Sequence, residues 1–168
     1  DYYDISPTVS PSSAVFPGEA KFKRKVSLYF KKGHHLELSS IETSLHIGAH
    51  ADAPSHYHVQ GDSIEKRSLH HYYGPAQVIH ITKKPNTLIA PEDISHVPIR
   101  TPRVLFATKS FPNLNQWNND FVALAPELIP YLAKLGVVTV GIDTPSVDPA
   151  ESKDLQTHQL IYKHNLAI

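Results

Sequence analysis

Residues 46–58 read HIGAHADAPSHYH, which places His46, His50, Asp52, His56 and His58 in one short stretch. The separations between His46, His50, Asp52 and His56 are all even. On a continuous strand these four would share a face. On a helix His46 and His50 would stack, although Gly48, Pro54 and the small residues between them argue against a helix. Either geometry lets imidazoles and a carboxylate converge. The chain has no cysteine, so a metal here would be held by nitrogen and oxygen, which suits Zn2+ or Mn2+. A carboxylate can also bridge two metals. Two histidines and one aspartate therefore fit a one- or two-metal hydrolytic site. The bland alternative is a polar surface loop. The clustering, with Gly48 and Pro54 shaping the backbone, favours metal binding.

Elements on either side must hold this segment. VSLYF (26–30) is rich in strand formers, and 36–47 alternates in part, predicting one or two strands that end at the histidine cluster. A short helix is expected over 62–71, with Asp62 or Ser63 as N-cap. AQVIHIT (76–82) and RVLFAT (103–108) are expected strands. APEDI (90–94) opens a short helix with Pro91 in its first turn, and 111–120 reads as a surface loop. LAPELIPYLAKLG (124–136) predicts a helix closed by Gly136, and the apolar VVTVGID (137–143) a buried strand. Residues 158–168 look helical and then turn toward a further strand. Strand, helix and strand over 103–143 make a βαβ-like unit, so the expected class is α/β.

Composition narrows the function. The 168 residues, 40% hydrophobic, suit one domain with a real core. Sixteen basic residues balance sixteen acidic ones, which gives no electrostatic case for nucleic acid or an anionic membrane. The cluster KFKRK (21–25) reads as a solvated loop or strand edge. No apolar run approaches the roughly 18 residues of a membrane span. DYYDISPTVS has neither the basic start nor the apolar run of a secretory signal, so the cytoplasm is the expected location. The chain has no Met, as expected of a processed protein or a fragment.

HIGAHADAPSH resembles the H-x-G-T-H-x-D-x-P-x-H signature of the metal-dependent cyclase family. DISPTVSPSSAVFPGEA, RVLFATKS, the W-N-N-D-F segment at 117–121, LAPELIPYLAKLG, VGIDTPSVDP and THQLIYKHNLAI resemble further family blocks, in family order. The resemblance thus covers nearly the whole chain and points to the formamidase branch. It implies a swivelling β/β/α (cyclase-like) fold in a single domain, 1–168, and a homodimer or higher homo-oligomer. It implies His46, His50, Asp52 and His158 as ligands to one or two Zn2+, with Mn2+ as the alternative, and His56 as general acid/base. It implies a further ligating Glu just past Ile168. Phe16 stands where the branch commonly has Trp, as an apolar wall for the substrate; Tyr2 and Tyr57 are further candidates for that pocket. Ala49 replaces the signature Thr, which removes a hydroxyl near the ligands. The implied small-molecule reaction is hydrolysis of N-formylkynurenine to kynurenine and formate, a step of tryptophan catabolism. The alternatives are another amide or an isatin-like lactam, or a metal-binding relative without turnover.

Overall fold

The computed structural model describes residues 4–168, in two compact units. One comprises the described residues up to His50 with Asn113–Trp117; the other comprises Ala51–Pro112 and Asn118–Ile168.

The first unit carries an antiparallel pair, β1 (Lys23–Leu28) and β2 (Leu38–Glu42), registered from Lys23↔Glu42 to Leu28↔Leu38. Lys23, Arg24 and Lys25 are exposed on it, as a solvated strand edge should be. Two expectations shift here. The first strand ends at Leu28, because Phe30–Lys32 form a 3-10 turn closed by Gly33 at φ +80°. The second strand stops at Glu42 instead of running to the histidines. Its ladder with β1 ends at Lys23↔Glu42; beyond it Ser44 N–H still reaches Ala20 O (2.8 Å), but the chain then bends through residues 45–49. Elsewhere in this unit the backbone N–H of Ala14 donates to Leu114 O (2.9 Å).

The second unit is built on a parallel sheet of β3 (Gln77–His80), β5 (Arg103–Ala107) and β7 (Thr139–Ile142), in the order β3-β5-β7. Two short strands, β4 (Leu88–Ile89) and β6 (Ala123–Leu124), form a second parallel pair. Among the described residues the α-helices, all in this unit, are α1 (Pro54–Tyr57), α2 (Pro91–Ile94), α3 (Leu128–Lys134) and α4 (Gln156–Lys163). Ile89, Val104, Phe106, Leu124, Leu132 and Ile161 sit in one buried cluster. The βαβ connection from β5 through α3 to β7 is present and parallel. Ala167 pairs with Thr139 after α4, the late strand contact expected from the sequence.

Helix α3 starts four residues later than expected. Ala123, Leu124 and Ala125 give their N–H groups to Thr87, Val147 and Ile89, so sheet bonds hold them out of the helix. Its C-terminus ends as anticipated: Gly136 adopts φ +81°, Gly136 N–H bonds Ala133 O and Val137 N–H bonds Leu132 O. This double bond pattern satisfies carbonyls that the helix leaves open. The expected helix over 62–71 is two 3-10 turns, Ile64–Lys66 and Leu69–His71. Arg67 and Ser68 between them are extended. The Arg67 guanidinium bonds Asn165 Oδ1 (2.7 Å) and Leu166 O (3.3 Å), contacts that compete with a continuous helix. No helix among the described residues is long and apolar enough to cross a membrane.

Candidate active site

Beyond β2 the chain bends through residues 45–49. The four even-spaced residues therefore do not share a strand face. Gly48 lies at φ +61°, and a Cβ there would meet Val9 Cγ2 at 2.8 Å, so conformation and space both favour glycine. The turn brings the His46 and His50 rings to 5.1 Å, edge to face. His50 Nδ1 lies 2.9 Å from Gly48 O. A carbonyl only accepts, so Nδ1 carries the proton and Nε2 presents its lone pair. The His46 backbone N–H is held by Ser44 Oγ (3.2 Å). Along these consecutive residues, one donor atom from each of His46, His50 and Asp52 lies within 4.8 Å of the others. Two imidazoles and a carboxylate so close together fit a divalent cation.

Within the second unit, His158 sits in the first turn of α4. Leu155, before that turn, is left-handed and gives no side-chain cap. Asp148 caps the helix instead, accepting from Thr157 N–H (3.0 Å) and His158 N–H (3.1 Å). The same carboxylate accepts from His158 Nδ1 at 2.6 Å. His158 Nε2 is thereby turned outward, 3.8 Å from Asp52 Oδ2. This is the carboxylate–imidazole pairing that orients metal-binding histidines. Burial pushes Asp148 up, but the bonds from His158 and the two backbone N–H groups outweigh it and hold the carboxyl below its ordinary range. Burial likewise pushes His158 down, and its bonds to Asp148 and Asp52 outweigh that and raise it. Carboxylates that favour a proton on this imidazole also favour another cation beside it.

His56 lies exposed on α1, one residue before buried Tyr57. Pro54 opens that helix, which suits its missing N–H. The following loop is fastened by Ser55 N–H to Asp62 O (3.1 Å) and Gly61 N–H to His58 O (2.9 Å). A Cβ on Gly61 would fall 2.2 Å from the Pro54 carbonyl carbon, so only glycine allows this approach. Gln159 Nε2 on α4 donates to Tyr57 O (2.8 Å), and the Tyr57 and His158 rings are 5.1 Å apart. The Tyr57 phenol is pushed up to about 12, by burial first, with the Asp52 and Tyr72 charges adding and Arg67 opposing.

In the first unit Phe16 is half exposed and meets Trp117 edge-on at 5.0 Å. Ala49 is exposed, and Tyr2 lies outside the described residues. Sequence reasoning did not single out Asp148. Its only signal was membership of the block VGIDTPSVDP; no local spacing ties it to His158.

The Cyclase family model ("Putative cyclase") matches residues 3–149. The chain belongs to the Cyclase family. Kynurenine formamidase of Bordetella pertussis is 41% identical over 167 residues, spanning 99% of this chain and 79% of that relative. A solved structure described as a potential metal-dependent hydrolase with cyclase activity aligns with a TM-score of 0.81 at 25% identity, covering 99% of this chain and 78% of the other. An isatin hydrolase bound to the product analogue thioisatinate gives a TM-score of 0.79 at 18% identity, covering 98% and 76%, and shares the fold. The mixed α/β, cyclase-like fold expected from the sequence is thus the fold of this family member.

Proposed function

We propose that this Cyclase family member is a metal-dependent amide hydrolase that converts N-formylkynurenine to kynurenine and formate. The observation that carries the reading is the grouping of His46, His50 and Asp52 donors within 4.8 Å. The formamidase relative at 41% identity supports the substrate. His46, His50, Asp52 and His158 are assigned as ligands, with Zn2+ as the metal and Mn2+ as the alternative. The same reading takes the chain as one hydrolase domain working as a homodimer or larger homo-oligomer.

When bound, the metal would supply Lewis acidity and bring the pKa of a water down toward about 7. The protein's own groups supply the remainder. His50 offers Nε2 because Gly48 O holds its Nδ1 proton. His158 offers Nε2 because Asp148 holds the other nitrogen. His56, exposed on α1, is assigned to protonate the leaving aniline nitrogen, for which an imidazole is suited near neutral pH. Phe16 is assigned as an apolar wall for the aryl ring. The test is turnover of N-formylkynurenine by metal-replete protein, with isatin as comparator. Hydrolysis that a chelator abolishes and Zn2+ restores is expected. No turnover of N-formylkynurenine by replete protein would overturn the reading, and turnover of isatin alone would reassign it to lactams.

A further inference from the structure

A second site emerges in the unit that begins at Ala51. A cavity of about 330 Å³ is lined there by Gln60, Asp62, Arg67, Tyr162, Lys163 and Asn165, among others. None of the proposed metal ligands lines it. Its size falls near the lower end of small-molecule pockets, roughly 300–1,000 Å³.

Arg67 distinguishes this cavity from an ordinary surface dent. Its guanidinium is permanently charged, yet its partners are Asn165 Oδ1, the His71 ring and Leu166 O. None of these is a carboxylate. Its Nε is buried and meets no hydrogen-bond acceptor among the described residues. A part-buried guanidinium with no carboxylate partner keeps a charge that an anionic group in the cavity can neutralise. Lys163, at the end of α4, brings a second positive charge to the lining, and Asp62 brings a negative one. Tyr162 forms an aromatic part of the wall; its ring is stacked on His58 at 3.6 Å and its hydroxyl donates to Gln60 O (3.3 Å).

Two cations and one carboxylate around a small space match a zwitterion better than a simple anion. We propose that this cavity binds a free α-amino acid, its carboxylate to Arg67 and Lys163 and its ammonium to Asp62. Guanidinium and carboxylate pair through charge-assisted bonds, and Arg67 has no carboxylate partner among the described residues. The site does not depend on the hydrolase reading, since its residues are separate from the proposed ligands.

The experiment titrates the protein with L-alanine, acetate and methylammonium, following the side-chain amide resonances of Gln60 and Asn165. L-Alanine is expected to give saturable shifts, acetate to bind more weakly by about tenfold, and methylammonium to give none; loss of one charged contact corresponds to a change of about that size. Asp62→Asn should reduce L-alanine to the affinity of acetate. Lys163→Gln and Arg67→Gln should each weaken it by about tenfold. Arg67 also bonds Asn165 and Leu166, so the exposed Asp62 and Lys163 variants decide the matter if Arg67→Gln does not fold. His50→Ala should leave L-alanine binding unchanged. The proposal is overturned if L-alanine gives no saturable shift, or if acetate equals L-alanine on the wild-type protein. It is also overturned if binding survives Asp62→Asn and Lys163→Gln but is lost in His50→Ala.

Discussion

Asp148→Asn probes how the site is built. The aspartate accepts three bonds: Thr157 N–H on Oδ1, and His158 N–H and Nδ1 on Oδ2. An amide keeps one acceptor oxygen. If that oxygen stays with His158, an NH2 group faces the Thr157 N–H and that bond is lost. The bonds that remain are no longer made to a charged group. Hydrogen bonds to charged groups contribute about 1.5–3 kcal/mol each, and loss of a helix cap costs about 1 kcal/mol. Apo-protein stability should therefore fall by about 2–4 kcal/mol, read from the midpoint of urea unfolding at neutral pH with chelator present. The imidazole also loses the carboxylate that fixes its orientation, so metal affinity should fall by about 10–100-fold. Competition with a chromophoric chelator measures that second quantity separately. Metal affinity within twofold of wild type, in a variant that still folds, would refute the idea that Asp148 presents His158 to a cation.

His56→Ala should leave metal content intact and lower turnover on an anilide by about 10²–10⁴-fold, with a smaller loss on an activated ester; loss of metal would make His56 a ligand. Gly61→Ala should destabilise the fold by about 1–3 kcal/mol, because the added Cβ would fall 2.2 Å from backbone at Pro54; thermal unfolding checks this, and an unchanged midpoint would mean the loop shifts freely. Asp93 is held below its ordinary range, first by the hydrogen bond from Lys83 (2.5 Å). A depressed carboxyl stabilises the fold above its unfolded pKa, near 3.9, and that contribution disappears as pH falls through the lower folded value. Asp93→Asn should thus lose about 0.5–1 kcal/mol at neutral pH, given the pair's partial exposure, and converge with wild type in acid; urea melts at the two pH values test it.

What could be read from the sequence was whatever short-range chemistry imposes. The parallel strands 77–80, 103–107 and 139–142 follow from apolar, β-branched runs, and the end of α3 from Gly136. His46, His50 and Asp52 lie within seven residues, so their spacing and Gly48 carried the information. What was missed depends on distant bonds. Ala123–Leu124 became a strand because Thr87 and Ile89 supply partners from the other side of β5 in sequence. Arg67 interrupts the expected 62–71 helix through contacts with Asn165 and Leu166. Asp148 serves His158 across ten residues with no repeating pattern to signal it. Gly61 was passed over because its requirement, the approach to Pro54, is visible only once the loop is folded.

The central claim is that the histidine–aspartate segment holds the metal on which hydrolysis depends. Elemental analysis of protein purified with Zn2+ present, wild type beside Asp52→Ala, addresses it most directly. The account predicts at least one tightly held ion per wild-type chain and nearly none in the variant. Equal, full occupancy in Asp52→Ala would contradict it, as would a wild-type protein that holds no metal.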